Sequence, residues 1–247
     1  MTVRDFTRLC AEHGFARTAP YIYARCFGDG VLQTIDISRL LSVSLDSPGR
    51  ISGKSRYISI GISSMYANWP ESCFTPELYA WQYYSPDSFL GRNPSTEPFR
   101  GFDAHCAIME ECGFAYLDRI SDQKTLLDAK LELERPRCGG RGKWLHASWV
   151  YAPLAVCERW DEAMHEVCRY YTHSWETFHA NNDHLMMAGQ HDVYCRKEQE
   201  LMQELAETRQ VWRYLLINDY ISLGHLLRNN YERNMRYAQV HGIPIVK

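Results

Sequence analysis

The amino-acid sequence predicts an α+β fold: an N-terminal helix, a three-stranded antiparallel meander, then a mainly helical C-terminal half. Three observations carry this. Residues 3–13 place Phe6, Leu9 and Cys10 at helical spacing, with Gly14 as a stop. Three runs rich in β-branched and aromatic residues follow between Tyr21 and Ser64. From about Pro153 onward, apolar residues recur every three or four positions.

YIYARCF (Tyr21 to Phe27) and VLQTIDI (Val31 to Ile37) flank Gly28-Asp29-Gly30, a hairpin signal. RYISIGISS (Arg56 to Ser64) sets Ile58, Ile60 and Ile62 on one face and is reached through the polar loop Ser47–Ser55. Residues 65–100 carry five prolines and a dense set of aromatic residues, and are read as a long insertion; connections of this length are often functional. FDAHCAIMEECGF is expected to be a short helix stopped near Gly113. SDQKTLLDAKLELER is expected to be a helix capped by Ser121 or Asp122. Cys138–Gly142 (CGGRG) marks the expected boundary between an α+β domain, 1–137, and a helical domain, 143–247. WLHASWVYA reads as a strand or a helix start. Helices are then expected over roughly 154–181, 191–217 and 219–240, with Asn218-Asp219 as a stop and recap.

Composition narrows the function classes. The chain has 247 residues, 45% hydrophobic and 23% charged, with a net charge of −3, so nothing draws it to nucleic acid or anionic lipid in bulk. No run of about 18 apolar residues exists to span a membrane, and the N-terminus lacks the apolar core of a secretory signal. Nine cysteines without one C-x-x-C read as reduced thiols in a cytoplasmic protein, each a small core residue.

The densest group of chemistry-bearing side chains is MHEVCRYYTHSWETFHANNDH (Met164 to His184), which holds four of the ten histidines. On a helical wheel Trp160, Met164, Val167, Tyr171, Trp175 and Phe178 form the core face. His165, Cys168, Thr172, Glu176, His179 and Asp183 form the opposite, wet stripe, and His173 lies between. E-x-x-H occurs at Glu162–His165 and Glu176–His179. The copies are 14 residues apart on one helix, about 21 Å at the helical rise, so they cannot share one metal. An alternative is a metal-assisted hydrolase in which His165, Glu176 and His179 join residues from elsewhere, such as His105, His146 or His225. H-E-x-x-H is absent. SGKS (Ser52 to Ser55) fails as a phosphate loop, because Gly49 and Gly53 are separated by three residues rather than four and a strand follows. No G-x-S-x-G elbow is present. No cofactor is expected, and the reading leans away from an enzyme.

The candidate contact surface is the aromatic insertion. Tyr66, Trp69, Phe74, Tyr79, Trp81, Tyr83 and Tyr84 combine large contact area with low entropy cost, as interface hot spots do. The plainer alternative is that they cover the meander. In the C-terminal helices, Leu201, Leu205, Trp212 and Leu215, then Tyr220, Leu223, Leu227, Tyr231 and Ala238, are expected core stripes. A helical oligomer built on 191–240 is a further possibility. Arg228, Arg233 and Arg236 read as a solvated face.

Through His13-Gly14-Phe15, YIYARCF, VLQTIDI and RYISIGIS, residues 3–64 resemble a bacterial domain family of unknown function found near toxin-immunity and mobile-element genes. The resemblance implies an immunity or inhibitor protein that binds another macromolecule. It supplies no catalytic residues, and the long aromatic insertion departs from the family's compactness.

Overall fold

The computed structural model describes residues 1–39, 56–69, 85–90, 101–134 and 148–246. The loop Ser47–Ser55 and the expected boundary at Cys138–Gly142 lie outside them. The chain forms two compact units. One comprises Met1–Met65, Trp69–Lys143 and Tyr231–Lys247; the other comprises Tyr66–Asn68 and Trp144–Asn230.

The first unit opens with α1 (Val3–Glu12), started by a reciprocal Thr2–Asp5 capping box. It ends at Gly14, whose φ of +76° no L side chain adopts readily; Phe15 N–H then donates to Cys10 O, closing the last turn. A Cβ on Gly14 would also come within 3.1 Å of Val246. The sheet follows as β1 (Ala16–Ala19), β2 (Ile22–Phe27), β3 (Val31–Arg39) and β4 (Arg56–Ser64), antiparallel in the order β1-β2-β3-β4. The expected helix and three-stranded meander are all present. Two further strands join them. β1 is only four residues long, and β5 (Ile245–Val246) pairs parallel to β2 at Cys26 and Phe27.

Strand alternation explains the core. Tyr23, Arg25 and Phe27 share a face with Val31, Gln33, Ile35 and Ile37 and with Ile58, Ile60 and Ile62. Five isoleucines on this face are essentially inaccessible, each stabilising by about 1.5–3 kcal/mol. They pack against Phe6 and Cys10 of α1 and against the helices that follow. Those helices are α2 (Phe102–Ile108), a π turn at Met109–Gly113, α3 (Phe114–Asp118) and α4 (Gln123–Glu134). The expected stop at Gly113 does not occur: the helix runs on through the π turn to Asp118. A Cβ at Gly113 would come within 2.6 Å of Met109 Sδ and 3.3 Å of Phe89, so Met109 would have to move to admit it.

Two polar side chains in this face tie helix ends to the sheet. Gln33 Nε2 donates to Leu117 O and Ile120 O, both at 2.8 Å, at the end of α3. Arg25 donates through Nε to Gln33 Oε1 and through Nη1 to His13 O and Asp118. Its guanidinium lies over the rings of Phe15 and Phe27. The His13 ring stacks on Phe114 at 4.2 Å, so the end of α1 meets the start of α3.

The second unit is helical: α5 (Ser148–Val156), α6 (Trp160–Met187), α7 (His191–Glu204), α8 (Ala206–Leu216) and the start of α9 (Tyr220–Val240). Of WLHASWVYA, the residues from Ser148 onward belong to α5, and those before it lie outside the described residues. The helix expected over 154–181 is split at Glu158, whose φ is +58°, and the one expected over 191–217 is split at Leu205. Asn218, at φ +57°, ends α8, and Asp219 Oδ1 accepts from Ser222 N–H to start α9. α6 packs against α5, α7 and α8. The later turns of α9 belong to the first unit, where Asn234 donates to Met65 O, Tyr231 to Gly28 O, and Met235 meets Cys26 on the sheet's second face. Among the described residues, no helix is long and apolar enough to cross a membrane.

Candidate interaction surface

On α6 the stripe His165, Cys168, Thr172, Glu176, His179 and Asp183 is exposed along its whole length, while Val167 and Phe178 are buried on the other side. His179 Nδ1 lies 3.2 Å from Asp183 Oδ1 and 3.3 Å from Tyr194 OH. Neither Glu176 nor His165 joins it. Among the described residues no group of three His, Cys, Asp or Glu side chains is arranged to hold a metal ion. His146 lies outside the described residues.

His105 is buried in the first unit. Its Nδ1 accepts from Ile58 N–H at 3.1 Å, and Nε2 lies 3.1 Å from Asp87 Oδ2. Ser85 Oγ is 3.4 Å from that same Nε2. In a serine nucleophile's triad the serine hydroxyl and the orienting carboxylate engage opposite nitrogens of the histidine base. Here Asp87 and Ser85 crowd one nitrogen and a backbone N–H occupies the other. The group satisfies a β4 donor and anchors α2; it does not activate Ser85. The buried thiols are equally inert: burial pushes the thiols of Cys26 and Cys106 up to about 12, and that of Cys10 in the same direction.

Of the aromatic insertion, Phe74, Tyr79, Trp81, Tyr83 and Tyr84 lie outside the described residues. Tyr66 is half-buried. Trp69 is buried, and its indole N–H donates to Ser64 O at 2.7 Å.

The second unit presents a different apolar surface where α8 turns into α9. Trp212 is 39% exposed, Leu216 61%, Ile217 59% and Ile221 77%. The expected core stripe of Leu201, Leu205, Trp212 and Leu215 needs correction here. Leu205 and Leu215 are buried, but Trp212 is turned outward. The wheel explains this: at about 100° per residue, Thr208, Val211 and Leu215 form the inner arc of α8, while Trp212 begins the outer one. Buried Thr208, an interruption of the apolar pattern in the sequence, is part of the core face.

Aromatic contacts brace the corner. Trp212 lies beside Tyr171 of α6, at 6.1 Å and 24° between planes. Trp160, at the start of α6, stacks on Tyr220, at the start of α9, at 4.4 Å and 18°. Below them Tyr151 is fully buried and donates to Glu207 Oε1 at 3.0 Å; burial, then the charge on Glu207, pushes the phenol well up, so it stays a donor. Glu207 Oε1 also accepts from Asn230 at 3.0 Å.

No family model matches the chain, and no curated protein or solved structure is detectably similar to it.

Proposed function

We propose that this protein acts by binding another protein, through the corner between α8 and α9. The observation that carries the reading is the set Trp212, Leu216, Ile217 and Ile221: four large apolar side chains exposed within ten residues. Single exposed apolar residues are ordinary; a concentrated group rimmed by polar residues marks an interaction site. Tryptophan beside arginine is also the composition of interface hot spots.

The resemblance of residues 3–64 to domains found near toxin-immunity genes supports the finer reading of an immunity or inhibitor protein. The cysteines support a cytoplasmic setting: seven are described, and all seven are free thiols.

The test is affinity capture from the native host with the wild-type chain and with the double variant Leu216→Glu, Ile221→Glu. A specific partner should be recovered by the wild type and lost by the variant while its circular dichroism and melting stay unchanged. Recovery of the same partner at the same level by the folded variant would remove this surface from the account.

A further inference from the structure

Resting on the corner as the binding surface, we infer that the segment it receives is both acidic and apolar. Its carboxylates would meet Arg209 and Arg213, and its apolar side chains would cover Trp212 and Leu216.

The outer arc of α8 carries the argument. Counting about 100° per residue from Trp212, Leu216, Arg209 and Arg213 follow in order within about 100° of arc. All four are exposed. On α9, Ile221, His225 and Arg228 are likewise exposed and share a face through i, i+4 and i+7 spacing. The corner therefore interleaves apolar side chains with guanidinium groups.

These arginines are uncommitted. On α6, Arg159 pairs with Glu162 and Arg169 with Glu166. Arg209, Arg213 and Arg228 form no ion pair among the described residues. The two carboxylates of residues 206–229 are already engaged: Glu207 accepts from Tyr151 and Asn230, and Asp219 caps Ser222 N–H. Neither lies on the outer arc of α8, which therefore carries two arginines and no carboxylate, in a chain whose net charge is −3. A partner that supplied only apolar groups would strand guanidinium groups at a drying interface. One that supplied carboxylates in the guanidinium fork would satisfy them.

Phosphate would satisfy the arginines too, but three of the four apolar side chains are aliphatic. Single-stranded nucleic acid gains its binding from stacking on aromatic faces. The corner's exposed aromatic group is Trp212, and its ring is already beside Tyr171.

The experiment uses fluorescence anisotropy on the full chain. The first probe is a labelled helical peptide of about 18 residues with leucines on one face and glutamates on the other. The others are the same peptide with lysines for glutamates, an oligo-dT strand, and phosphatidylserine-containing vesicles. The acidic peptide should bind saturably in the micromolar range and weaken with salt. Arg209→Glu with Arg213→Glu should weaken it about tenfold and raise affinity for the lysine peptide, with Arg209→Gln and Arg213→Gln intermediate. Three results would overturn the inference: no binding of the acidic peptide, equal or tighter binding of the lysine peptide, oligonucleotide or vesicles, or indifference to the charge reversal. If Leu216→Glu, Ile221→Glu still abolishes capture of a partner, the proposed surface stands and only its acidic occupant is lost.

Discussion

Arg25 and Asp118 form a 2.7 Å ion pair in which the arginine side chain is 4% exposed and the aspartate 44%. The pair is asymmetric, and the asymmetry sets what each half is worth. Removing the carboxylate leaves a buried guanidinium without its counter-charge. Removing the arginine lets the aspartate return to water. Asp118→Ala is therefore expected to cost about 2–4 kcal/mol; Arg25→Met frees the aspartate but leaves the buried Gln33 Oε1 without its donor, at about 1–3 kcal/mol. Urea unfolding of both single variants and of the double checks this; the double should cost less than the sum.

Gln33 holds the neighbouring position across the sheet. Its amide N–H groups are committed to two carbonyls at the end of α3. Leucine is close in volume and cannot donate, so both carbonyls would be left buried and unmet. Gln33→Leu should cost about 2–3 kcal/mol despite adding apolar surface. Amide hydrogen exchange should show the loss first around residues 114–120.

Asp219 gives a pH signature. Its bonds with Ser222 hold the carboxyl below its usual 3.8. A carboxyl lowered on folding contributes its full stability above that usual value, and loses it as pH falls through the lower folded one. An asparagine at this position would cap equally well at every pH. The melting-temperature difference between Asp219→Asn and wild type should therefore be near zero at neutral pH and shift in favour of the variant in acid. Thermal melts from neutral pH down into the acid limb read this directly.

Leu215 and Leu216 are neighbours with opposite roles. Leu215 is buried and Leu216 largely exposed. Leu215→Ala should cost about 2–4 kcal/mol by leaving a cavity. Leu216→Ala should change stability by no more than about 0.5 kcal/mol. Chemical denaturation of the two alanine variants tests whether the outer arc of α8 is free of structural duty, which the binding proposal requires.

Much of the fold was legible because local periodicity carried it. Alternation at Ile58, Ile60 and Ile62 and the turn at Gly28–Gly30 sufficed for β2 to β4, and Asn218-Asp219 for the break before α9. β5 was not legible: two residues pair with a strand more than 200 positions earlier, and nothing local announces that. Gly113 misled because a glycine that makes room for Met109 looks the same in sequence as one that ends a helix. The α8–α9 corner was hidden for a related reason. Trp212 fits a 4–3 apolar stripe with Leu201, Leu205 and Leu215, and only the placement of Thr208 on the inner face turns it outward. The wet stripe of α6 was readable from the wheel, because opposite faces of one long helix need no tertiary information.

The α8–α9 corner is proposed to meet a protein partner. Site-specific photo-crosslinking in the native host tests it most directly, with a photoreactive residue placed at Leu216 or Ile221 and, as a control, at exposed Thr172 on α6. One discrete crosslinked species is expected from 216 and 221 and none from 172. Absence of any product at 216 and 221, or the same pattern from all three positions, would contradict it.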